Sequence, residues 1–315
     1  MKISFVIPCY RSEDTISSVV SEIAEEVAKR PGVDYEVIMV SDHSPDNVYA
    51  VIEKLCLEDS RHLKGIELAR NFGQHAALMA GYAHVTGDVV ISLDDDGQAP
   101  LESLYALVDS LRDGVDVAIG AYPEKKHSFF RNLGTRMNLW MADWLLDKPK
   151  ETKLTSFFAM QRFVSDEILR YKGPFPYLGG LIFRVTQSVV NVEVQHRSRK
   201  SGRSGYTLAK LLGLWLNGFT AFSVKPLRLA SFIGLFSAFV GFLYGIWTVA
   251  YKLFINSNTQ IGYSSLMSTI LFVGGILMMI LGLIGEYVGR IYISMNNSPQ
   301  YVISKETGKA KETGK

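Results

Sequence analysis

Two long stretches near the carboxyl end carry no charge, and they limit the fold more than any other feature of the chain. LASFIGLFSAFVGFLYGIWTVAY runs unbroken between Arg228 and Lys252, and Leu266–Gly285 is equally clean. Each is about 20 residues, enough as helix to cross a hydrocarbon core of roughly 30 Å. Buried helices of that length ordinarily carry some charge on one face. From Tyr206 to Ser304 there is no Asp, and Glu286 is the only acid. The pair is therefore expected to form two transmembrane helices, 229–252 and 264–288.

The link between them, NSNTQIGYSS, is polar and uncharged. Lys225 and Arg228 precede the first helix, Arg290 follows the second, and Lys305, Lys309, Lys311 and Lys315 lie beyond. This bias predicts both termini in the cytoplasm, with Lys252 opposing weakly. MKISFVIPCYRSED reaches Pro8 after a short apolar run and then turns acidic, unlike a signal peptide. The expected organisation is a cytoplasmic domain over 1–205, a juxtamembrane amphipathic segment over 206–227, a membrane hairpin over 228–290 and a cytoplasmic tail over 291–315. The repeated KETGK ending reads as a flexible tail.

Composition excludes other classes. Two cysteines, Cys9 and Cys56, cannot build a disulfide scaffold or a multi-cysteine zinc site. A net charge of +2 is too mild for a dedicated nucleic-acid binder.

The first 200 or so residues alternate between strand and helix patterns. Ile3–Ile7 is a strand ended by Pro8, Ser12–Arg30 is helical with Ile16, Val19, Val20, Ile23 and Val27 on one face, and Tyr35–Val40 is a strand. A helix reaches Leu57, Gly65–Leu68 is a short strand, Gln74–Thr86 is a small-residue helix, and Val89–Leu93 is a buried strand. The alternation predicts a mainly parallel sheet with helices on both faces, and ligands beyond the carboxyl ends of its strands. Pro8–Tyr10, Ser41–Asp46, Ala69–Asn71 and Asp94–Gln98 occupy that edge.

No GxGxxG follows the first strand, and GxxxxGK[ST], HExxH and GxSxG are absent. The strongest signal is Asp94-Asp95-Asp96 directly after a buried strand. Adjacent carboxylates repel unless a cation lies between them, and hard oxygen donors suit Mg²⁺ or Mn²⁺ bound together with substrate phosphates.

In that order, IPCYRSE, VSDHSPDN, ARNFGQHAALMAGYAHVTGD and ISLDDDGQ resemble the family-2 glycosyltransferases of the A-type nucleotide-sugar fold. The nearest group is the polyprenyl-phosphate sugar transferases, and the resemblance extends through the membrane helices. It implies that Pro8, Tyr10 and Glu13 line the base and ribose pocket and that Asp42 accepts a hydrogen bond from the base. Asp94, Asp96 and Gln98 are implied as metal ligands, with Asp95 against the nucleotide and Asp96 central to catalysis. Two departures stand out: Arg11-Ser12 replaces the usual Asn-Glu, and Gly97 replaces a bulky apolar residue. A homo-oligomer is also implied.

On the acceptor side, Arg131 and Arg136 in SFFRNLGTRMNLWMADWLLD, and Arg197, Arg199, Ser204 and Tyr206 in HRSRKSGRSGY, resemble the segments that hold a lipid phosphate. Arg131 and Arg197 are expected to act in catalysis, because guanidinium forks match phosphate oxygens. Such a phosphate is already largely a dianion at neutral pH and needs no general base. The resemblance therefore implies inverting, metal-dependent transfer from a nucleotide sugar, UDP-hexose with glucose first, to polyprenyl phosphate at the cytoplasmic membrane face. A processive polysaccharide synthase would carry QxxRW, which is missing, and a non-catalytic adaptor would have no need of the intact Asp94–Gln98 motif.

Overall fold

The computed structural model describes residues 1–112, 114–122, 152–174, 176–195, 263–296 and 298–307, with scattered positions between 232 and 254. The chain divides into two compact units, residues 1–205 with 297–315, and residues 206–296. In chain order the strands of the first unit are β1 (Lys2–Cys9), β2 (Asp34–Ser41), β3 (Leu63–Leu68), β4 (Val89–Ser92), β5 (Val117–Ala121), β6 (Phe158–Gln161), β7 (Val189–Glu193) and β8 (Ile303–Thr307). Its helices are α1 (Ile16–Ala28), α2 (Val48–Glu58), α3 (Gln74–Tyr82), α4 (Leu104–Asp109), α5 (Arg162–Ile168) and α6 (Leu178–Val185).

The strands form one sheet in the order β7-β5-β6-β4-β1-β2-β3-β8. β4, β1, β2 and β3 run parallel, as the alternating pattern requires. β6 lies antiparallel between β4 and β5, so the sheet is mixed. Residues 3, 5, 7 and 9 of β1 join Ile16, Val19, Ile23 and Val27 of α1 in one buried cluster. Val6, Ile38 and Val40, which alternate with residues of that cluster along their strands, are also buried. Burial on both faces is why these strands read as unbroken apolar runs.

Several boundaries differ from expectation, α3 for one ending at Tyr82 rather than Thr86, and two have a visible cause. β1 does not stop at Pro8 but runs to Cys9, with Pro8 opposite Val40. Val6 accepts from Leu93 N–H on the β4 side, so Pro8, two residues on, turns its missing donor to that same side, where the ladder has already ended at Ser92. α1 begins at Ile16 rather than Ser12 because residues 11–15 are held in turns: Arg11 adopts φ 57°, and Ser12 C=O accepts from Thr15 and Ile16 N–H.

At the opposite, amino end of the strands a buried acid is fully enclosed. Glu36 is 1% exposed and accepts from Ser4 Oγ at 2.6 Å and from Thr86 N–H and Oγ at 2.5 and 2.8 Å. Lys64 and Lys2 pair with it at 2.9 and 3.3 Å. Burial alone would raise its pKa, but the hydrogen bonds from Ser4, Lys64 and Thr86 prevail and bring it down to about 2.

The expected flexible tail is corrected over its first residues by β8, the rest of it, 308–315, lying outside the described residues. Ile303–Thr307, which contains the first KET, pairs antiparallel with β3, Thr307 opposite Gly65. Lys305 binds Glu67 at 2.9 Å, and Ser304 Oγ donates to the Glu67 carbonyl at 3.0 Å. Just upstream, the Gln300 amide donates to the Tyr171 and Gly173 carbonyls, both at 2.7 Å. A short edge strand rich in charge carries no apolar period, so its sequence looks like a tail.

In the second unit, α7 (Tyr263–Met295) extends past both expected ends of the 264–288 helix. Within it Phe272–Ile293 is long and apolar enough to cross a membrane, and none of that window is buried. Phe272, Met278 and Leu281 are 67%, 73% and 61% exposed, an apolar surface that water does not favour. The expected helix 229–252 and the 206–227 segment lie wholly or mostly outside the described residues.

Candidate active site

The carboxyl ends of β1, β2 and β4 bring the predicted donor residues to one edge. Asp94, Asp95 and Asp96 leave β4, and Tyr10 leaves the adjacent β1. The Tyr10 N–H donates to Asp95 Oδ2 at 2.9 Å, and Thr15 Oγ donates to the Asp95 carbonyl at 2.6 Å. Asp95 thus ties the acidic turn to the loop after β1. Burial pushes its carboxyl up to about 6, the Tyr10 hydrogen bond opposing and the charge of Asp94 adding.

Asp42 stands at the end of β2 and is buried. Its two oxygens accept from the Phe72 and Gly73 N–H groups at 2.7 and 2.8 Å. Burial raises its pKa against those hydrogen bonds. Gly73 leads into α3, whose first residue, Gln74, donates to Asp94 Oδ1 at 2.8 Å. A hydrogen-bonded path therefore runs from Asp42 through the 72–74 loop to Asp94. Ser156, just before β6, donates to Asp94 Oδ2 at 2.5 Å.

Asp96 turns back on its own loop. Its Oδ1 accepts from Gln98 N–H at 3.0 Å and its Oδ2 from Gln98 Nε2 at 2.7 Å. Between them Gly97 has φ 70°, a left-handed conformation that a bulky residue adopts at a cost, which accounts for glycine at this position. Asp94, Asp96 and Gln98 carry oxygen donors of the hard kind that Mg²⁺ and Mn²⁺ take. Among the described residues no three acidic, His or Cys side chains converge as a metal cage.

Glu13 sits between two loops. Its N–H donates to Asp46 Oδ2 at 3.1 Å, and its Oε2 accepts from Asn47 N–H at 2.9 Å, so the carboxylate joins the β1–α1 loop to the β2–α2 loop. Pro8 lies within β1. Arg131, Arg136, Arg197, Arg199, Ser204 and Tyr206 lie outside the described residues.

Sequence reasoning missed Gln74, Ser156 and Tyr122. The Tyr122 phenol, just beyond β5, has its pKa raised by burial and by the charges of Asp94 and Asp96. The signal for Gln74 was its position at a helix start; Ser156 and Tyr122 carried none. His75, the second residue of α3, packs edge-on to the Tyr177 ring at 5.3 Å, and burial lowers its pKa.

Known proteins agree with this architecture. Residues 4–169 match the model for glycosyl transferase family 2, and residues 225–291 match that of the GtrB C-terminal hairpin. The chain is 33% identical over 312 residues to the SfII prophage-derived bactoprenol glucosyl transferase of Shigella flexneri, covering 97% of this chain and 98% of that protein. It is 30% identical to the undecaprenyl-phosphate 4-deoxy-4-formamido-L-arabinose transferase of Proteus mirabilis, covering 98% and 94%. Among solved structures, glucosyl-3-phosphoglycerate synthase from Mycobacterium tuberculosis, in complex with Mn²⁺, UDP-glucose and phosphoglyceric acid, shares the fold at a TM-score of 0.51 and 18% identity, over 70% of this chain and 78% of that one. The sheet order, the acidic edge and sequence identity sustained along nearly the whole length lead to one conclusion: the chain belongs to glycosyltransferase family 2.

Proposed function

We propose that the chain transfers a sugar from a nucleotide sugar, UDP-hexose with glucose first, to polyprenyl phosphate, undecaprenyl phosphate in a bacterium. The observation that carries this reading is the linked edge: Asp42 and Asp94 are joined through the 72–74 loop, with Asp95 and Asp96 alongside. Asp42 retains lone pairs beyond the two that accept from Phe72 and Gly73, and a base imide N–H is the donor that they suit. Tyr10, 45% exposed, offers an aromatic face at the same edge. The names of the bactoprenol and undecaprenyl-phosphate relatives support the acceptor.

Asp94, Asp96 and Gln98 would hold Mg²⁺ or Mn²⁺, which when bound neutralises charge on the departing diphosphate. The acceptor phosphate, largely a dianion at neutral pH, attacks the anomeric carbon through one oxygen. A C–O bond forms, the bond to the diphosphate breaks, and the electron pair leaves with the nucleoside diphosphate, so the anomeric centre inverts. No proton has to be removed from the nucleophile. What the chain contributes is position and charge: Arg131, Arg136, Arg197 and Arg199 hold the acceptor, and the donor residues fix the sugar's approach. The hairpin and the exposed apolar length of α7 support placement at a membrane, with the donor edge on the cytoplasmic side where nucleotide sugars are found.

The test is release of UDP by the detergent-solubilised chain on adding undecaprenyl phosphate with UDP-glucose and Mn²⁺, with the product extracted into organic solvent. Release that does not depend on the lipid, or product that stays in the aqueous phase, refutes the proposal.

A further inference from the structure

Arg11 occupies an unusual position at the donor edge. It is exposed, it is not glycine, and it holds a left-handed backbone with φ 57°. Non-glycine residues rarely adopt that region, and where they do the surrounding structure imposes it. Here the cause is visible. The Arg11 N–H donates to Ser44 Oγ at 2.7 Å, and Ser44 Oγ donates to Asp46 Oδ1 at 2.6 Å. On either side the chain is fastened as well, Tyr10 N–H to Asp95 and Glu13 N–H to Asp46.

Two carboxylates are close along these contacts, Asp95 and Asp46, yet both accept from backbone N–H groups, and Arg11 has no carboxylate partner among the described residues. Its guanidinium carbon lies 5.6 Å from the centroid of the exposed Tyr10 ring. The sheet order places this loop immediately next to the acidic turn after β4. That edge already carries Asp42, Asp46, Asp94, Asp95 and Asp96, so a diphosphate arriving there meets strong repulsion unless cations accompany it. Arg70 also lies at a carboxyl end, over the Phe72 ring, but at the end of β3, two strands further from β4.

We propose that Arg11 binds the diphosphate of the donor nucleotide, and that the Ser44–Asp46–Glu13 clasp holds its backbone in the strained conformation that presents it. This rests on the nucleotide-sugar reading above.

The test compares UDP with uridine, each with Mn²⁺, by calorimetry on the detergent-solubilised full chain, uridine being measured by displacement of UDP. Arg11→Gly should weaken UDP by about tenfold or more, the usual range for a charge-assisted hydrogen bond, and leave uridine unchanged. The same variant should melt at the same temperature as wild type or above it, because glycine relieves the left-handed backbone. Arg11→Lys should recover part of the UDP affinity. Parallel loss of UDP and uridine would assign Arg11 to the shape of the base pocket and overturn the proposal, as would no change in either. Equal loss in Arg70→Ala would reduce the effect to net charge and overturn it too. If wild type binds neither ligand, the nucleotide reading itself has failed, an outcome separate from any effect of Arg11.

Discussion

Replacing Glu36 with Gln tests whether the buried polar cluster at the amino ends of the strands stabilises the donor domain. Glu36 is enclosed by Ser4, Thr86, Lys2 and Lys64, and its pKa falls from 4.5 to about 2. A drop of that size corresponds to about 3 kcal/mol at neutral pH, taking about 1.4 kcal/mol per unit. The sign is that of a depressed acid. The stabilisation is complete above the unfolded pKa near 4.5 and disappears as pH falls through the folded value near 2. Glu36→Gln should therefore lower the melting temperature by roughly 6–12 °C at pH 7, for a domain of this size. The assay is thermal unfolding of wild type and variant from pH 7 down to pH 3. The gap should hold to about pH 5 and narrow below it as Glu36 of the unfolded wild type takes up its proton. A gap that stays constant with pH would mean that packing rather than charge is at stake. No gap at pH 7 would refute the electrostatic account outright.

Other substitutions probe the site and the sheet edge. Asp96→Asn should abolish transfer without unfolding the chain, and Gln98→Ala should weaken the response to Mn²⁺ less severely, both read from UDP release against Mn²⁺ concentration. Near-normal turnover of Asp96→Asn at saturating Mn²⁺ would exclude Asp96 as a ligand. Arg131→Ala or Arg197→Ala should slow lipid-dependent turnover at least tenfold and leave UDP affinity unchanged, because a guanidinium–phosphate contact is worth roughly 1.5–3 kcal/mol. Gly65→Ala should loosen β8, since a Cβ there would lie 2.5 Å from both Thr307 Oγ and Ile52 Cγ2. Hydrogen exchange should then rise at residues 65–68 and 303–307, and unchanged protection would show that the strand accommodates the methyl.

What could be read from sequence follows from where each feature lies in the chain. Strands buried on both faces announce themselves as apolar runs, so β1, β2 and β4 are recognisable, and their ends name the edge on which Asp42 and Asp94–Asp96 converge. Three consecutive acids after such a strand needed no structure to be noticed. The partners that fix them did. Ser156 is 62 residues from Asp94 and meets it only because β6 runs antiparallel beside β4. Gln74 reaches Asp94 because Asp42 pins the preceding loop, an arrangement with no local signature. The Glu13 carboxylate accepts from Asn47 N–H, a link between two loops that no local pattern announces. The left-handed turn at Gly97 was equally hidden, since glycine there read only as a departure from the family pattern.

The pairing of β8 with β3 has a consequence for the order in which the molecule is made. Gly65 emerges from the ribosome 242 residues before its strand partner Thr307, and the long apolar helix Tyr263–Met295 is synthesised in between. Until then β3 is an open edge, so the sheet is finished only after that helix has left the ribosome. Completion of the fold thereby reports that the whole apolar segment has been translated, and a chain truncated a few residues short would leave translation with its catalytic sheet still open on one side.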